Sequence, residues 1–289
     1  MTKRARKRLI FIGLVTFLLV GVTASQLPRI GAALILHLPH RRVTAEPPPQ
    51  CHAFTFKGDG VSLQGWRGDA VGTHRGTLIY LHGVADNRVS GAGVMSRFQK
   101  RGFDVVAYDS RAHGESGGEA CTYGYFEKED LRQVLDTVRT GPIILVGSSL
   151  GAAVALQLAA TDKRVSALVA AECFSDLETV VSERAPFFFT DGVIKRAMQL
   201  AEQEGRFQIE SVSPEAAART INIPTFIVHG AADTDTPPDH SRRIFSAMAN
   251  TNRHLVIMDG ARHNESLSGT IWPHIEKWID KVLAKKSGE

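Results

Sequence analysis

The sequence predicts an α/β fold in which helices cover both faces of a doubly wound, mostly parallel sheet. From Cys51 onward, short strand-like runs alternate with segments whose apolar residues recur at helical spacing. Most of these runs are continuously apolar, as expected of strands buried on both faces. The buried strands are predicted at Thr77–Leu81, Val105–Tyr108, Ile143–Val146, Ala167–Ala171, Thr225–Val228 and Leu255–Met258.

An antiparallel hairpin is predicted at the N-terminal edge of this sheet. The runs Ala53–Lys57 and Val61–Trp66 are separated by Gly58-Asp59-Gly60, which favours a tight turn. Residues 176–220 interrupt the alternation and are predicted to form either a short cap insertion or a long crossover. The helices between strands are predicted at Gly91–Lys100, Lys128–Arg139, Gly151–Ala160, His240–Ala249 and Ile271–Ala284.

The positive charge of the chain is concentrated at its amino terminus. The 289 residues carry a formal net charge of +4, and 43% of them are apolar, which favours one large core. Five of the first eight residues are Lys or Arg, so that the remainder has a net charge of −1. A nearly neutral body gives no electrostatic reason to expect nucleic acid as a partner.

An apolar run, Leu9–Leu27, follows these cations. Its 19 residues are just long enough to span a bilayer as a helix, which predicts a signal-anchor in residues 1–27 with the remaining domain on the exported side. Val22-Thr23-Ala24 leaves open a cleaved signal peptide and a secreted protein. A buried amino-terminal helix is a third possibility.

The segment between this run and the predicted domain is divided in two. Ile30–Leu38 is apolar but too short to span, and we expect it to lie along a membrane surface. Arg41–Gln50 contains Pro47, Pro48 and Pro49 and is predicted to be a stiff linker. The domains are therefore placed at 1–27, 28–50 and 51–289.

The strongest local motif is Gly147-Ser148-Ser149-Leu150-Gly151. It directly follows a predicted strand and opens a predicted helix, as a nucleophile on a strained turn requires. The flanking glycines leave room for the neighbouring backbones, and Ser149 is the central residue. Otherwise, Ser148 and Ser149 would merely cap a helix.

An acid and a base follow in the loops after two later strands. Asp233 comes after Thr225–Val228 and His263 after Leu255–Met258, at the strand ends where catalytic groups gather in α/β sheets. Asp235 is a rival for the acid. Serine, imidazole and carboxylate in these roles form a triad for acyl transfer.

Backbone amides are expected to hold the oxyanion of this reaction. Leu150, directly after the nucleophile, supplies one amide, and Val84, in the loop that begins with His82-Gly83, supplies the other. His82 and His229 are further candidates for structural roles around the site. No other substrate-binding residues are assigned, although Ala185–Phe189 is apolar enough to line an acyl pocket.

From about Cys51 to its end, the chain resembles the α/β-hydrolase superfamily, in the branch with serine aminopeptidase-like or esterase-like domains often carried on a membrane anchor. The resemblance rests on His82-Gly83, the three loops above and the turn Tyr108–Ser116, in which Ala112 replaces the usual glycine. It implies the α/β-hydrolase fold and hydrolysis of an ester, thioester or amide through an acyl-enzyme.

The sequence therefore predicts a serine hydrolase for a small-molecule or lipid-like acyl ester or thioester. One alternative is an aminopeptidase, which would need acidic groups at its site; the candidate acids are Glu172, Asp176, Glu178 and Glu183. Another is a non-catalytic binding protein. No cofactor or metal is expected, because the three cysteines, Cys51, Cys121 and Cys173, are too scattered for a zinc motif; one disulfide remains open. Cys173 is expected in the core.

Overall fold

A computed structural model describes residues 4, 25–139 and 141–286. In this part of the chain, strands alternate with helices as predicted and form one eight-stranded sheet, β1-β2-β4-β3-β5-β6-β7-β8. The strands are β1 (Cys51–Lys57), β2 (Ser62–Gly68), β3 (Gly76–Leu81), β4 (Phe103–Tyr108), β5 (Ile143–Ser148), β6 (Val165–Ala171), β7 (Thr225–Gly230) and β8 (Arg253–Met258).

The strand pairings confirm the mostly parallel sheet with an antiparallel edge. Strands β1 and β2 form the predicted hairpin, and β2 pairs antiparallel with β4. The pairs β4–β3, β3–β5, β5–β6, β6–β7 and β7–β8 are all parallel. The carboxyl ends of β3 to β8 therefore lie at one edge, where the loops that follow them can meet.

Helices cover both faces of the sheet. The apolar side chains of α2 and α9 pack on one face, and those of α3, α4 and α8 pack on the other. The helices are α1 (residues 25–36), α2 (Ala92–Gln99), α3 (Glu127–Leu135), α4 (Leu150–Ala159), α5 (Leu177–Glu183), α6 (Asp191–Gly205), α7 (Pro214–Ala218), α8 (Asp239–Ala247) and α9 (Trp272–Lys286).

Residues 176–220, the predicted insertion, contain α5, α6 and α7. The segment reaches the loop after β7, because the Nε atom of Arg184 donates to the carbonyl oxygen of Asp235 at 2.7 Å. Three consecutive phenylalanines join α5 to α6, and they do not share one environment. Phe187 and Phe188 are exposed, whereas Phe189 lines an apolar cavity.

The prediction of a membrane-anchored protein is contradicted. In the part of the chain that the structure describes, no helix combines the length and the apolar character needed to cross a bilayer. Residues 9–24, which make up most of the predicted anchor, lie outside the described residues.

The apolar stretch Ile30–Leu38 packs on the domain instead of being left free for a membrane surface. Ala32, Ile35 and Leu36 are buried in the same apolar core as α4. The hydroxyl of Tyr123 donates to the carbonyl oxygen of Ile35 at 2.9 Å, which fixes the end of α1. One face of α1 is therefore part of the folded core.

The cysteines form no disulfide. Each of the three, all within the described residues, is free. Cys121 and Cys173 are buried, and Cys173 packs in the core as predicted. Burial raises the pKa of both thiols, which keeps them protonated.

A buried ion pair closes the turn after β4. The Asp109 carboxylate accepts hydrogen bonds from the amides of Arg88 at 2.7 Å and Glu115 at 2.9 Å, and it pairs with the Arg88 guanidinium. Burial raises the pKa of Asp109, although these hydrogen bonds oppose the rise. Gly114 is required beside it, because a Cβ there would lie 2.2 Å from Asp109 Oδ2.

We expect Asp109→Ala to lower the free energy of unfolding by about 3–5 kcal/mol, because it leaves the buried Arg88 charge without its buried partner. The matched control is Asp69→Ala, whose carboxylate is 75% exposed and 3.4 Å from Arg139, and which should cost less than about 1 kcal/mol. Urea unfolding of both variants measures the difference. Equal losses would show that the buried pair does not stabilise this turn.

Candidate active site

Ser149 lies on a strained turn between β5 and α4. Its backbone has φ 50° and ψ −111°, a conformation that non-glycine residues rarely adopt. The turn also needs a glycine at position 151, because a Cβ there would lie 2.2 Å from the carbonyl oxygen of Leu81. The Ser149 amide donates to the carbonyl oxygen of Ala171 at 2.8 Å. These constraints place Ser149 at the carboxyl edge of the sheet.

The three predicted side chains come together at this edge. His263 Nε2 lies 3.1 Å from Ser149 Oγ, and His263 Nδ1 lies 2.7 Å from Asp233 Oδ2. The other carboxylate oxygen of Asp233 accepts the amides of Asp235 at 3.0 Å and Thr236 at 2.9 Å. It is therefore Asp233, and not its rival Asp235, whose carboxylate contacts the imidazole.

The surroundings of Asp233 favour its charged form. Burial alone would raise the pKa of this carboxyl, but hydrogen bonds from His229 and His263 hold it well below its usual range. His229 is fully buried, with Nε2 3.2 Å from Asp233 Oδ2 and Nδ1 2.6 Å from Ser241 Oγ. Asp233 can thus remain an anion that orients the His263 ring.

Glu172 holds the loop that carries His263. It follows β6, is only 1% exposed and has a left-handed φ of 55°. Its two carboxylate oxygens accept the amides of Asn264 at 2.7 Å and Ser266 at 2.8 Å. Glu172 was one of four candidate acids for an ammonium group under the aminopeptidase alternative, but both of its carboxylate oxygens are occupied by this loop.

The loop after β3 passes beside Ser149. A Cβ at Gly83 would lie 3.5 Å from the Cβ of Ser149, and Val84 lines the same pocket as Ser149 and His263. Leu150 begins α4, so that its amide has no partner within the helix. The buried His82 anchors this loop through Nδ1, 2.7 Å from the carbonyl oxygen of Gly83, and through Nε2, which accepts the amide of Ser110 at 2.9 Å.

The pocket around Ser149 is polar, and further pockets adjoin it. Val84 borders all of them: the candidate catalytic pocket, an apolar cavity beneath α5 and α6, and a second polar pocket next to Ser148 and Asp86. The candidate catalytic pocket is lined by Val84, Ser149, Glu183, Arg184, Thr234, Asp235, His263 and Asn264. Among the described residues, no group of three His, Cys, Asp or Glu side chains could hold a metal ion.

The order of the strands and the helices on both faces of the sheet are those of the α/β-hydrolase fold. Residues 76–192, from β3 through the Ser149 turn into α6, match the family model for the alpha/beta hydrolase fold. The chain therefore has the α/β-hydrolase fold that its resemblance implied.

Two uncharacterized bacterial proteins are similar in sequence to this chain. The chain is 30% identical over 179 residues to the uncharacterized protein YqkD of Bacillus subtilis (strain 168). This alignment covers 58% of this chain and 59% of YqkD. The chain is 27% identical over 300 aligned positions to the uncharacterized protein YfhR of Escherichia coli (strain K12), covering 98% and 96% of the two chains. The match to YqkD thus spans less than two thirds of that protein.

Among solved structures, the chain is similar to the Pyrococcus furiosus esterase Pf2001. The TM-score is 0.66 with 24% sequence identity, over 86% of this chain and 97% of that one. At this identity, the likeness shows the shared fold.

His113 is a buried imidazole beside His82. Its Nδ1 lies 2.9 Å from the carbonyl oxygen of Arg111, its Nε2 has no partner among the described residues, and its ring centroid is 5.2 Å from that of His82. Burial and the neighbouring His82 lower the pKa of His113 to about 4. A proton on Nε2 would therefore be buried without an acceptor.

We expect the stability of the protein to fall as the pH drops from about 6.5 towards 4, because over that range the unfolded chain protonates His113 and the folded chain does not. In His113→Asn, the loss of unfolding free energy between pH 7 and pH 5 should be smaller by about 1–2 kcal/mol. The control is His52→Asn, at an exposed position of β1. Urea unfolding at both pH values measures the change, and identical pH dependence in all three proteins would contradict it.

Proposed function

We propose that this protein is a hydrolase that cleaves an acyl ester or thioester through Ser149, His263 and Asp233. The observation that carries the proposal is the continuous chain of contacts from Ser149 Oγ through both nitrogens of His263 to Asp233, built on a strained turn between strand and helix. A nucleophile, a base and a group that orients the base are the parts that acyl transfer requires.

The mechanism follows from these positions. His263 Nε2 takes the proton of Ser149 as Oγ attacks the acyl carbon, and Asp233 stabilises the imidazolium. The amides of Leu150 and Val84 receive the negative charge of the carbonyl oxygen. His263 then gives its proton to the departing alcohol or thiol. Water repeats the sequence on the acyl-enzyme, releasing the acid and restoring Ser149.

The walls of the site support an acyl substrate. The apolar cavity that adjoins the catalytic pocket at Val84 suits the hydrocarbon part of a small-molecule or lipid-like ester. The neighbouring pocket beside Asp86 and Ser148 is polar and can take the leaving group.

An aminopeptidase is the second candidate, and Glu183 is the observation that favours it. Of the candidate acids, Glu183 lines the catalytic pocket, where a substrate ammonium would need a partner. Its carboxylate, however, lies 2.8 Å from His240 Nε2, and the cationic Arg184 lines the same pocket. Asp176 instead caps α5 and pairs with Arg243 at 3.0 Å, and Glu178 is exposed. These contacts favour the ester.

A fluorophosphonate probe tests the nucleophile and its base. We expect Ser149→Ala to abolish labelling, and His263→Ala and Asp233→Asn to lower ester hydrolysis by about 10³-fold or more. The matched controls are Ser246→Ala on α8 and His274→Ala on α9, both exposed, which should behave like the wild type. Asp235→Asn should retain activity within about tenfold, since Asp233 holds His263.

Hydrolysis of p-nitrophenyl esters and aminoacyl anilides by the same proteins separates the candidates. Ester cleavage that depends on Ser149 supports the proposal, whereas preferential anilide cleavage would favour the aminopeptidase. An unlabelled and inactive wild-type protein would reject both and favour a binding protein.

Glu172→Gln tests whether Glu172 positions His263. The glutamine side chain has only one oxygen, so it can accept a hydrogen bond from only one of the two loop amides, and its NH₂ group would face the other amide. We therefore expect kcat to fall by about 10- to 100-fold with KM little changed. The exposed Glu178→Gln is the matched control. Steady-state kinetics with one ester measures both constants. An unchanged kcat, or a rise in KM alone, would contradict this role.

A further inference from the structure

The apolar cavity beside the catalytic pocket is enclosed by segments from distant parts of the sequence. Its volume is about 180 Å³. Residues 176–220 contribute α5, the start of α6 and Phe189, and another wall comes from α1 and Leu38. Among the described residues that line it, Arg184 is the only charged one. This composition suits a hydrocarbon chain with its polar end towards the catalytic pocket.

The cavity meets the catalytic pocket where the carbonyl of an ester would lie. Val84 and Arg184 line both spaces, and the catalytic pocket also contains Ser149 and His263. If the proposed function holds, the oxyanion lies at the Val84 amide. The acyl chain then extends past the Val84 side chain into the cavity.

The α1 wall is attached to the domain by hydrogen bonds and close packing. Its end is fixed by hydrogen bonds from the Tyr123 hydroxyl to Ile35 and from the Cys121 amide to the carbonyl oxygen of Leu36 at 3.0 Å. Gly31 lets α1 approach α6 closely, because a Cβ there would lie 2.7 Å from the Cβ of Ala197. Because α1 is attached both at its end and at Gly31, it can limit the length of an acyl chain that binds in the cavity.

We propose that α1 and Leu38 form one wall of an acyl-chain site and that this wall determines which acyl chains the enzyme accepts. The site takes an unbranched acyl chain of medium length, since the cavity is apolar and has a volume of about 180 Å³. This proposal rests on the proposed function for the placement of the carbonyl. The wall lies outside residues 76–192, the part that matches the family model.

Leu34 gives a test that preserves the fold. Leu34 lines the cavity yet is 58% exposed, so that a change in its size disturbs little of the core. With p-nitrophenyl esters of two to sixteen carbons, Leu34→Trp should lower kcat/KM for the octanoate at least tenfold while changing the acetate less than threefold. Leu34→Ala should shift the optimum to longer chains.

The matched control is Ile30→Trp. Ile30 lies one turn earlier on α1, is 47% exposed and is outside the cavity lining, so that the same added bulk should leave the chain-length profile unchanged. A profile that Leu34→Trp leaves unchanged, or lowers equally at every chain length, would overturn the proposal even if the wild-type protein is an active esterase.

A binding measurement separates this proposal from the catalytic one. In the Ser149→Ala protein, octanoate should raise the melting temperature, acetate should not, and adding Leu34→Trp should abolish the effect of octanoate. That result supports the cavity even if the wild-type protein hydrolyses no ester. Equal responses to octanoate with and without Leu34→Trp would overturn it.

Discussion

The strained backbone at Ser149 is the constraint on which the rest of the site depends. Holding a non-glycine residue at a left-handed φ costs about 1–3 kcal/mol, and the surrounding structure must supply it. Gly151 makes this possible by packing against Leu81, and the amide of Ser149 is held by Ala171. Because these contacts come from β3 and β6, the turn can form only when β5 lies between those two strands.

The sheet order also explains why Glu172 is needed. Strand β8 is three strands away from β5, which is about 14 Å at roughly 4.8 Å per strand, so that the loop after β8 must reach back across the sheet edge before His263 can contact Ser149. Glu172 lies between these two strands, at the end of β6, and its carboxylate accepts hydrogen bonds from two amides of that loop. Asp233, at the end of β7, then orients the ring from the side.

The sequence was sufficient to predict the strands and the meeting of Ser149, Asp233 and His263, because buried parallel strands are continuous apolar runs whose loops gather at one edge. The sequence was insufficient to predict contacts between residues that are far apart in the chain and belong to no recognisable motif. Glu172 binds amides 92 and 94 residues later in the chain. Ile30–Leu38, which includes the end of α1, was expected at a membrane surface because it is apolar and too short to span, but which faces a domain will cover depends on tertiary packing.

The position of Val84 implies how a substrate is divided over the site. Its side chain borders the apolar cavity and both polar pockets, while the backbone of its loop runs beside Ser149. In the proposed enzyme, an acyl carbon at Ser149 would have an apolar cavity available for its chain and a polar pocket available for its leaving group. The apolar cavity is completed by α1 and residues 176–220, whereas Ser149, Asp233 and His263 lie on loops at the edge of the sheet. Under that proposal, chain-length preference and chemistry reside in separate segments, and chain-length preference can vary without disturbing the strained turn at Ser149.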